Sequence, residues 1–398
     1  MAEIRNFSSM KKVTDQKKYN KKITQHKFFK ASRVSAFIVV AICILLAIFI
    51  WQKNRIYTEY TIKSEADLLL SENTNCIFLG DSIFEYSMDG ANCTNVAGVQ
   101  VWNQMYQMQK PIIDICKNVV AVGDYNGNNI FVMDDEKVLG NFSTGLPIKE
   151  ICVSSNGLVA AVLEDTEVTW IYLYNAKGEE LAYFKTTMEI SGYPLAIDIT
   201  EDGTLIGISY LFMNKEAFNT NIAFYNFGDV GSNYQNNMVS AYTYNTYGKI
   251  IPFIKFSNKE ESYAVGSDAI ISYISDQIPK QSAATIIDKE IISVFYGPSN
   301  VGIVFINDEG EAKYRLEIYD AVGKKVCSHS FDMEFKEILL EENRFIIYNE
   351  EKCQMFSMSN TLKFETVFTE PIIRFKLEPG KASGTIVTSD KIYEISLK

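Results

Sequence analysis

Between residues 67 and 398 the apolar residues come in short runs, divided by polar clusters about every 8–12 positions, and helical periods are few. The pattern predicts strands, and two signatures recur in it. One is an apolar strand ending in an aromatic, a polar turn holding Gly, then a second strand. It appears as YLYNAKGEEL at 172–181 and IYDAVGKKV at 318–326, with weaker copies at 84–90 and 224–228. Asn or Asp in such a turn accepts local backbone hydrogen bonds and Gly supplies a positive φ, so these read as hairpins. The other signature is a strand, a polar loop and a strand rich in small residues: ICVSSNGLVAAV at 151–162, IDITEDGTLIGI at 197–208 and VFYGPSNVGIV at 294–304.

An apolar strand opens each unit, often after a proline (Pro111, Pro147, Pro194, Pro252, Pro371), where a missing N–H does least harm to a ladder. Two further units start near Glu290 and Phe335. Successive starts lie 36, 47, 58, 38, 45 and 36 residues apart. Four strands in about 40–45 residues is the spacing of a β-propeller blade. An earlier unit at 66–90 brings the count to eight, with seven as the alternative. The last unit stops one strand short, and an alternating segment at 57–63 is placed to fill it, closing the ring. The predicted fold is therefore all-β: a β-propeller over 67–398, preceded by a linker and possible ring-closing strand at 52–66.

Residues 34–51, VSAFIVVAICILLAIFIW, break the strand pattern with 18 uncharged positions. As a helix they reach roughly 27 Å, enough for a hydrocarbon core. Their Val, Ile, Leu and Phe side chains favour insertion by about 4–7 kcal/mol. Residues 1–33 hold ten Lys or Arg against Glu3 and Asp15, and only Lys53 and Arg55 follow the segment closely. The positive-inside rule then predicts a basic cytoplasmic tail at 1–33, a transmembrane signal anchor at 34–51 and an extracytoplasmic remainder, single-pass in the plasma membrane. Bulk and charge at 48–53 argue against cleavage as a signal peptide.

Charge sharpens the picture. Residues 1–55 carry +10, so the formal −11 of the chain leaves −21 for 56–398, which excludes nucleic acid as an outer partner. Six cysteines lie beyond the anchor, mostly inside apolar runs, where free buried thiols are expected. His329 is the one histidine there, so neither a multi-histidine metal site nor a catalytic triad can be assembled with choice. The loop at 123–129 lacks the Gly and the Glu of an EF-hand and reads as a hairpin turn. Walker, dinucleotide and nucleophile-elbow signatures are absent, so no catalytic residue, metal ligand or cofactor is assigned. Recognition is expected on long loops of a rigid ring. The candidates are Trp102 and Tyr106 near 99–109, and Tyr234, Tyr242, Tyr244 and Tyr247 in the Gly/Asn/Tyr-rich insertion at 228–249. Residues 211–221 are expected to lengthen one hairpin.

Hairpins such as YLYNAKGEEL at 172–181, with the tail–anchor–repeat layout, resemble a family of uncharacterised proteins of clostridial-type bacteria. That resemblance implies one signal anchor and an external propeller-like domain of unknown function. The hairpins are also similar to blades of quinoprotein-type and WD-type propellers, without the WD dipeptide or the tryptophan-bearing repeats. The expectation is a non-enzymatic binding or scaffold module of the cell envelope, engaging a protein, peptide or glycan outside the membrane. The alternative is an envelope hydrolase acting on wall carbohydrate or peptide.

Overall fold

The computed structural model describes residues 18–23, 37–45, 47, 55–71, 73–166, 168–188, 191–214, 217–246, 250–274, 276–308 and 310–398. The chain divides into two units, 1–56 and 57–398. In the first unit, residues 18–23 and 37–45 are helical and exposed. No helix among the described residues is long and apolar enough to cross a membrane. The expected anchor at 34–51 lies partly outside the described residues.

The second unit consists of eight four-stranded antiparallel sheets. In seven of them the strands follow one another along the chain, as a propeller blade requires. Blades 1 to 7 occupy 75–105, 111–143, 148–186, 193–244, 253–286, 291–331 and 337–367. Blade 8 takes three strands from 374–397, and its fourth is Tyr60–Asp67, paired antiparallel with Lys391–Leu397. Within each blade the strands are labelled A to D from the centre outward. The A strands Pro111–Cys116, Ile148–Val153, Tyr193–Ile199 and Phe253–Phe256 abut one another in turn.

Position in the blade explains the side-chain patterns. The B strands Val119–Asp124 and Val159–Glu164 are apolar and buried almost throughout, because a neighbouring blade covers each face. The D strand Gln100–Met105 alternates between exposed and half-buried residues, as a rim strand should. Eight clusters of buried hydrophobic residues make up the core, one in each gap between blades. The gap between blades 8 and 1 has the smallest, formed by Leu68, Cys76, Ile83, Val387 and Ile392.

Both sequence signatures find a structural place. The first is the C–D turn. Asn175 Oδ1 accepts the N–H groups of Lys177 and Glu179, and Asp320 Oδ1 those of Val322 and Lys324. Gly178 and Gly323 take φ of 83° and 75°. In blades 1 to 7 a register shift follows in the C–D pair, the bulge that such a turn produces; in blade 8, where no turn joins the pair, the shift falls between Ile62 and Ser64. The second signature is the A–B turn. The segment at 84–90 is a correction: it spans a B–C connection, and the C–D turn of blade 1 is built on Asn95 and Gly98. The closing strand is also displaced from its expected place at 57–63, because a bulge between Ile62 and Ser64 breaks the alternation used to find it. Ala66 and Asp67 belong to that strand, so blade 1 begins at Asn75 and not at 66.

A–B and C–D connections share one face of the ring, the turn face; B–C and D–A connections share the other, the loop face. The chain enters the ring on the turn face, where the Tyr57 N–H donates to Lys363 O at 2.7 Å and the Thr58 N–H to Lys398 O at 2.9 Å.

Candidate functional site

The aromatic residues expected to recognise a partner serve mainly as joints between blades. Trp102, on the D strand of blade 1, is half-buried, and its indole N–H donates to Asp134 O of blade 2 at 2.8 Å. The Tyr106 ring packs 5.1 Å from Phe131, and its buried hydroxyl has no hydrogen-bond partner. Tyr242 and Tyr244 lie on the D strand Met238–Tyr244 and face blade 5. The Tyr242 hydroxyl donates to Pro279 O at 3.1 Å, and that of Tyr244 meets Tyr273 Oη at 2.7 Å and Gln281 Oε1 at 2.8 Å. Tyr234 is exposed between two short 3-10 turns, Gly231–Asn233 and Gln235–Asn237. Tyr247 lies outside the described residues. Blades 1 and 4 are three apart in the ring, so these residues do not converge on one surface. The insertion is nonetheless pinned: buried Asn226 accepts from Gly228 N–H and, through its carbonyl, from Asn237 Nδ2, and its own Nδ2 donates to Gln277 O.

The strongest electrostatic feature is one the sequence reading passed over, at the centre of the ring. The A strands of blades 2, 3 and 4 carry Asp114, Glu150 and Asp198, each holding the inner strand of the next blade. Asp114 Oδ2 accepts Val153 N–H at 2.8 Å, Glu150 accepts the N–H of Ile197, and Asp198 Oδ2 accepts Phe256 N–H at 2.6 Å. Lys255 of blade 5 closes the set, its Nζ 2.7 Å from Asp198 and 3.3 Å from Asp114. Reaching blade 2 from blade 5 takes that side chain across the middle of the ring. Burial, reinforced by Asp198 and Asp114, pushes the Glu150 carboxyl up to about 8. Burial also raises Asp198 to about 6, against the pull of Lys255. Burial disfavours the Lys255 ammonium, but the two aspartates outweigh it and hold the lysine charged.

Such shifts mark functional sites and structural ion networks alike. Here each carboxylate already accepts a backbone N–H across a blade boundary, so the cluster is a set of latches. The sequence does carry a signal for it: a charged residue next to last in the run that opens a blade, as in IIDI, IKEI, LAIDI and FIKF. Arg374, in IIRF, continues the pattern; its Nε donates to Cys76 O at 2.7 Å across the gap between blades 8 and 1.

The two faces of the ring differ. On the loop face Met188, Met213, Phe218, Phe253, Ile292 and Ile306 are exposed, with Met213 and Phe218 at the tip of the lengthened hairpin formed by Leu205–Asn214 and Ala217–Asn226. The turn face exposes few large apolar side chains, chiefly Val99, Tyr234 and Val322. A cleft of about 670 Å³ opens on the loop face between blades 6 and 7. Half-buried Met333 and Phe335 line it with Asp332, Glu334, Glu350 and Glu351, against Lys336 and Lys352.

The six cysteines of the ring are free thiols, and all but Cys116 are buried. The His329 ring is also buried, with Nδ1 2.6 Å from Asn360 Oδ1 and the imidazole against Phe356. No group of His, Cys, Asp and Glu suited to a metal ion occurs among the described residues.

Comparison with known proteins adds the fold and a family. BamB from Moraxella catarrhalis superposes with a TM-score of 0.52 at 9% identity, over 85% of this chain and all of that one. A eukaryotic initiation factor gives a TM-score of 0.53 at 11% identity, over 81% of this chain and 83% of that one. At such identities the likeness is one of fold. No curated protein matches the sequence. Residues 53–397 match a family described as "Family of unknown function (DUF5711)".

Proposed function

Because the chain belongs to DUF5711, a family of unknown function, its role has to be read from its geometry, and we propose that it is a non-enzymatic binding or scaffold module. In this reading the segment at 34–51 tethers the eight-bladed ring to the plasma membrane, with the ring outside in the cell envelope. The loop face then holds a protein partner. The observation that carries the reading is the unequal distribution of exposed apolar side chains between the two faces. Large apolar residues exposed on a rigid scaffold mark interaction surfaces when they concentrate on one side.

The test places a photocrosslinking residue at Phe253 or at Val322 in the protein expressed in its own cells. Phe253 should yield a discrete adduct that is lost when Phe218→Asp is added, whereas Val322 should yield none. Equal crosslinking from both positions, or an adduct indifferent to Phe218→Asp, overturns the assignment of the face. Sidedness is read separately, by protease treatment of intact cells. Digestion of the ring there supports the envelope location, and protection until lysis refutes it.

A further inference from the structure

We propose that a pocket between blades 3 and 4 binds a single neutral saccharide unit. The pocket encloses about 280 Å³ between the D strand Glu180–Thr186 and the outer half of blade 4, and its walls include Thr186, Ser191, Asn221 and Asn236. That volume sits at the small end of ligand pockets and suits one ring rather than an extended chain. Its chemistry is almost entirely uncharged: Lys185, exposed on the rim strand, is the single ionised side chain in the lining. Amide and hydroxyl groups, which both donate and accept, match sugar hydroxyls and give an isolated ion little compensation for its lost hydration.

One feature points to an occupant, and a second shapes the site. The first is a buried pair of tyrosines in the wall, Tyr210 and Tyr225, whose hydroxyl oxygens lie 3.1 Å apart. Burial pushes both phenols upward from their ordinary range, so both keep their protons. Two hydroxyls hold two protons, and a bond between them consumes one. The second needs an acceptor, and an oxygen-bearing ligand in the pocket supplies it. Phe184, stacked on Tyr225 with ring centroids 4.5 Å apart, adds an aromatic surface against which the apolar face of a sugar can lie.

The second feature is the roof. Asn236 and Asn237 both adopt positive φ, 55° and 60°. Asparagine adopts this region more readily than most non-glycine residues, its short side chain bonding to nearby backbone. The contact here is the bond from Asn237 Nδ2 to Asn226 O at 3.0 Å. The pocket wall is thereby fixed before any ligand arrives, which lowers the cost of binding. None of the exposed apolar residues named on the loop face lines this pocket, so the proposal stands or falls without that assignment.

Saturation-transfer NMR on the full-length protein in detergent tests the proposal, with free glucose, galactose and N-acetylglucosamine as probes. At least one should receive transfer, with Kd on the order of 1 mM. Tyr225→Phe and Ala241→Trp, the latter filling the pocket from an exposed position on blade 4, should each weaken it about tenfold or more. Thermal unfolding of both variants verifies that the ring remains folded; Met238→Trp, also exposed and in the lining, serves if Ala241→Trp does not fold. Absence of transfer from all three sugars overturns the proposal. So does transfer that survives a folded pocket variant.

Discussion

Lys255 is the residue on which the centre of the ring turns. It neutralises two carboxylates on blades 2 and 4, and about a third of its side chain is exposed. Removing one partner of a buried ion pair costs about 3–5 kcal/mol, and that exposure reduces the figure, so Lys255→Met should destabilise by about 2–3 kcal/mol near pH 8. The loss should shrink at pH 5, where Asp198, held at about 6, is largely protonated. Glu150 gives the complementary test. Its folded carboxyl sits near 8, above the ordinary 4.5, so the stability it contributes is fully present below 4.5 and is lost as pH rises through 8. Denaturant midpoints should therefore fall between pH 5 and pH 9 in the wild type. Glu150→Gln, which keeps the acceptor for Ile197 N–H and cannot ionise, should flatten the upper part of that fall. A Glu150→Gln profile parallel to wild type would show that the proton is bound elsewhere. None of this coupling was legible beforehand: Asp114 and Lys255 lie 141 positions apart, and nothing local announces that one side chain crosses to the other.

At the scale of the element, the C–D hairpin was the most readable part of the chain, and its glycine has a second duty that only packing reveals. Gly178 needs its positive φ for the turn, and a Cβ there would also strike the Cβ and ring of Phe142 on the D strand of blade 2. Gly323 is hemmed in the same way by Ala283 at 2.7 Å and Thr285 at 2.9 Å on blade 5. Each turn leans on the preceding blade's rim strand. Gly380, on an A–B turn, has φ of 69° and nothing within 4 Å of its would-be Cβ. Alanine at 380 should thus cost only the backbone term, about 1–2 kcal/mol. At 178 it should cost roughly 1–2 kcal/mol more, for displacing Phe142. Equal losses in chemical denaturation would show that blades 2 and 3 separate easily at the rim. The tyrosines were less readable for the converse reason. Period-two alternation identifies the two faces of a rim strand without saying which neighbour covers each, and Tyr242 and Tyr244 face blade 5.

For the whole molecule the decisive joint is the one that sequence order does not make. Seven gaps separate blades consecutive in the chain; the eighth, between blades 8 and 1, is bridged by a strand drawn from the start of the ring. That gap has the thinnest apolar filling, and cations supplement it: Arg374 Nε donates to Cys76 O and Lys376 Nζ to Gly80 O at 2.6 Å. Closure therefore depends heavily on Tyr60–Asp67. Besides its ladder to Lys391–Leu397, this end of the chain brings Tyr57 and Tyr60 onto the cluster around Phe368 and places Leu68 in the seam. Deleting residues 1–68 removes these side chains, at about 1.5–3 kcal/mol for each large one fully buried, and bares the edge of Lys391–Leu397. Deleting residues 1–56 leaves all of them in place. The shorter deletion should unfold in a single transition with a midpoint close to that of the parent ring. The longer one should lose more than about 3 kcal/mol and associate through the open edge, visible as oligomers in light scattering. Were both deletions monomeric and equally stable, blade 8 would be holding its place with three strands, and closure through the first strand would not be what keeps the ring shut.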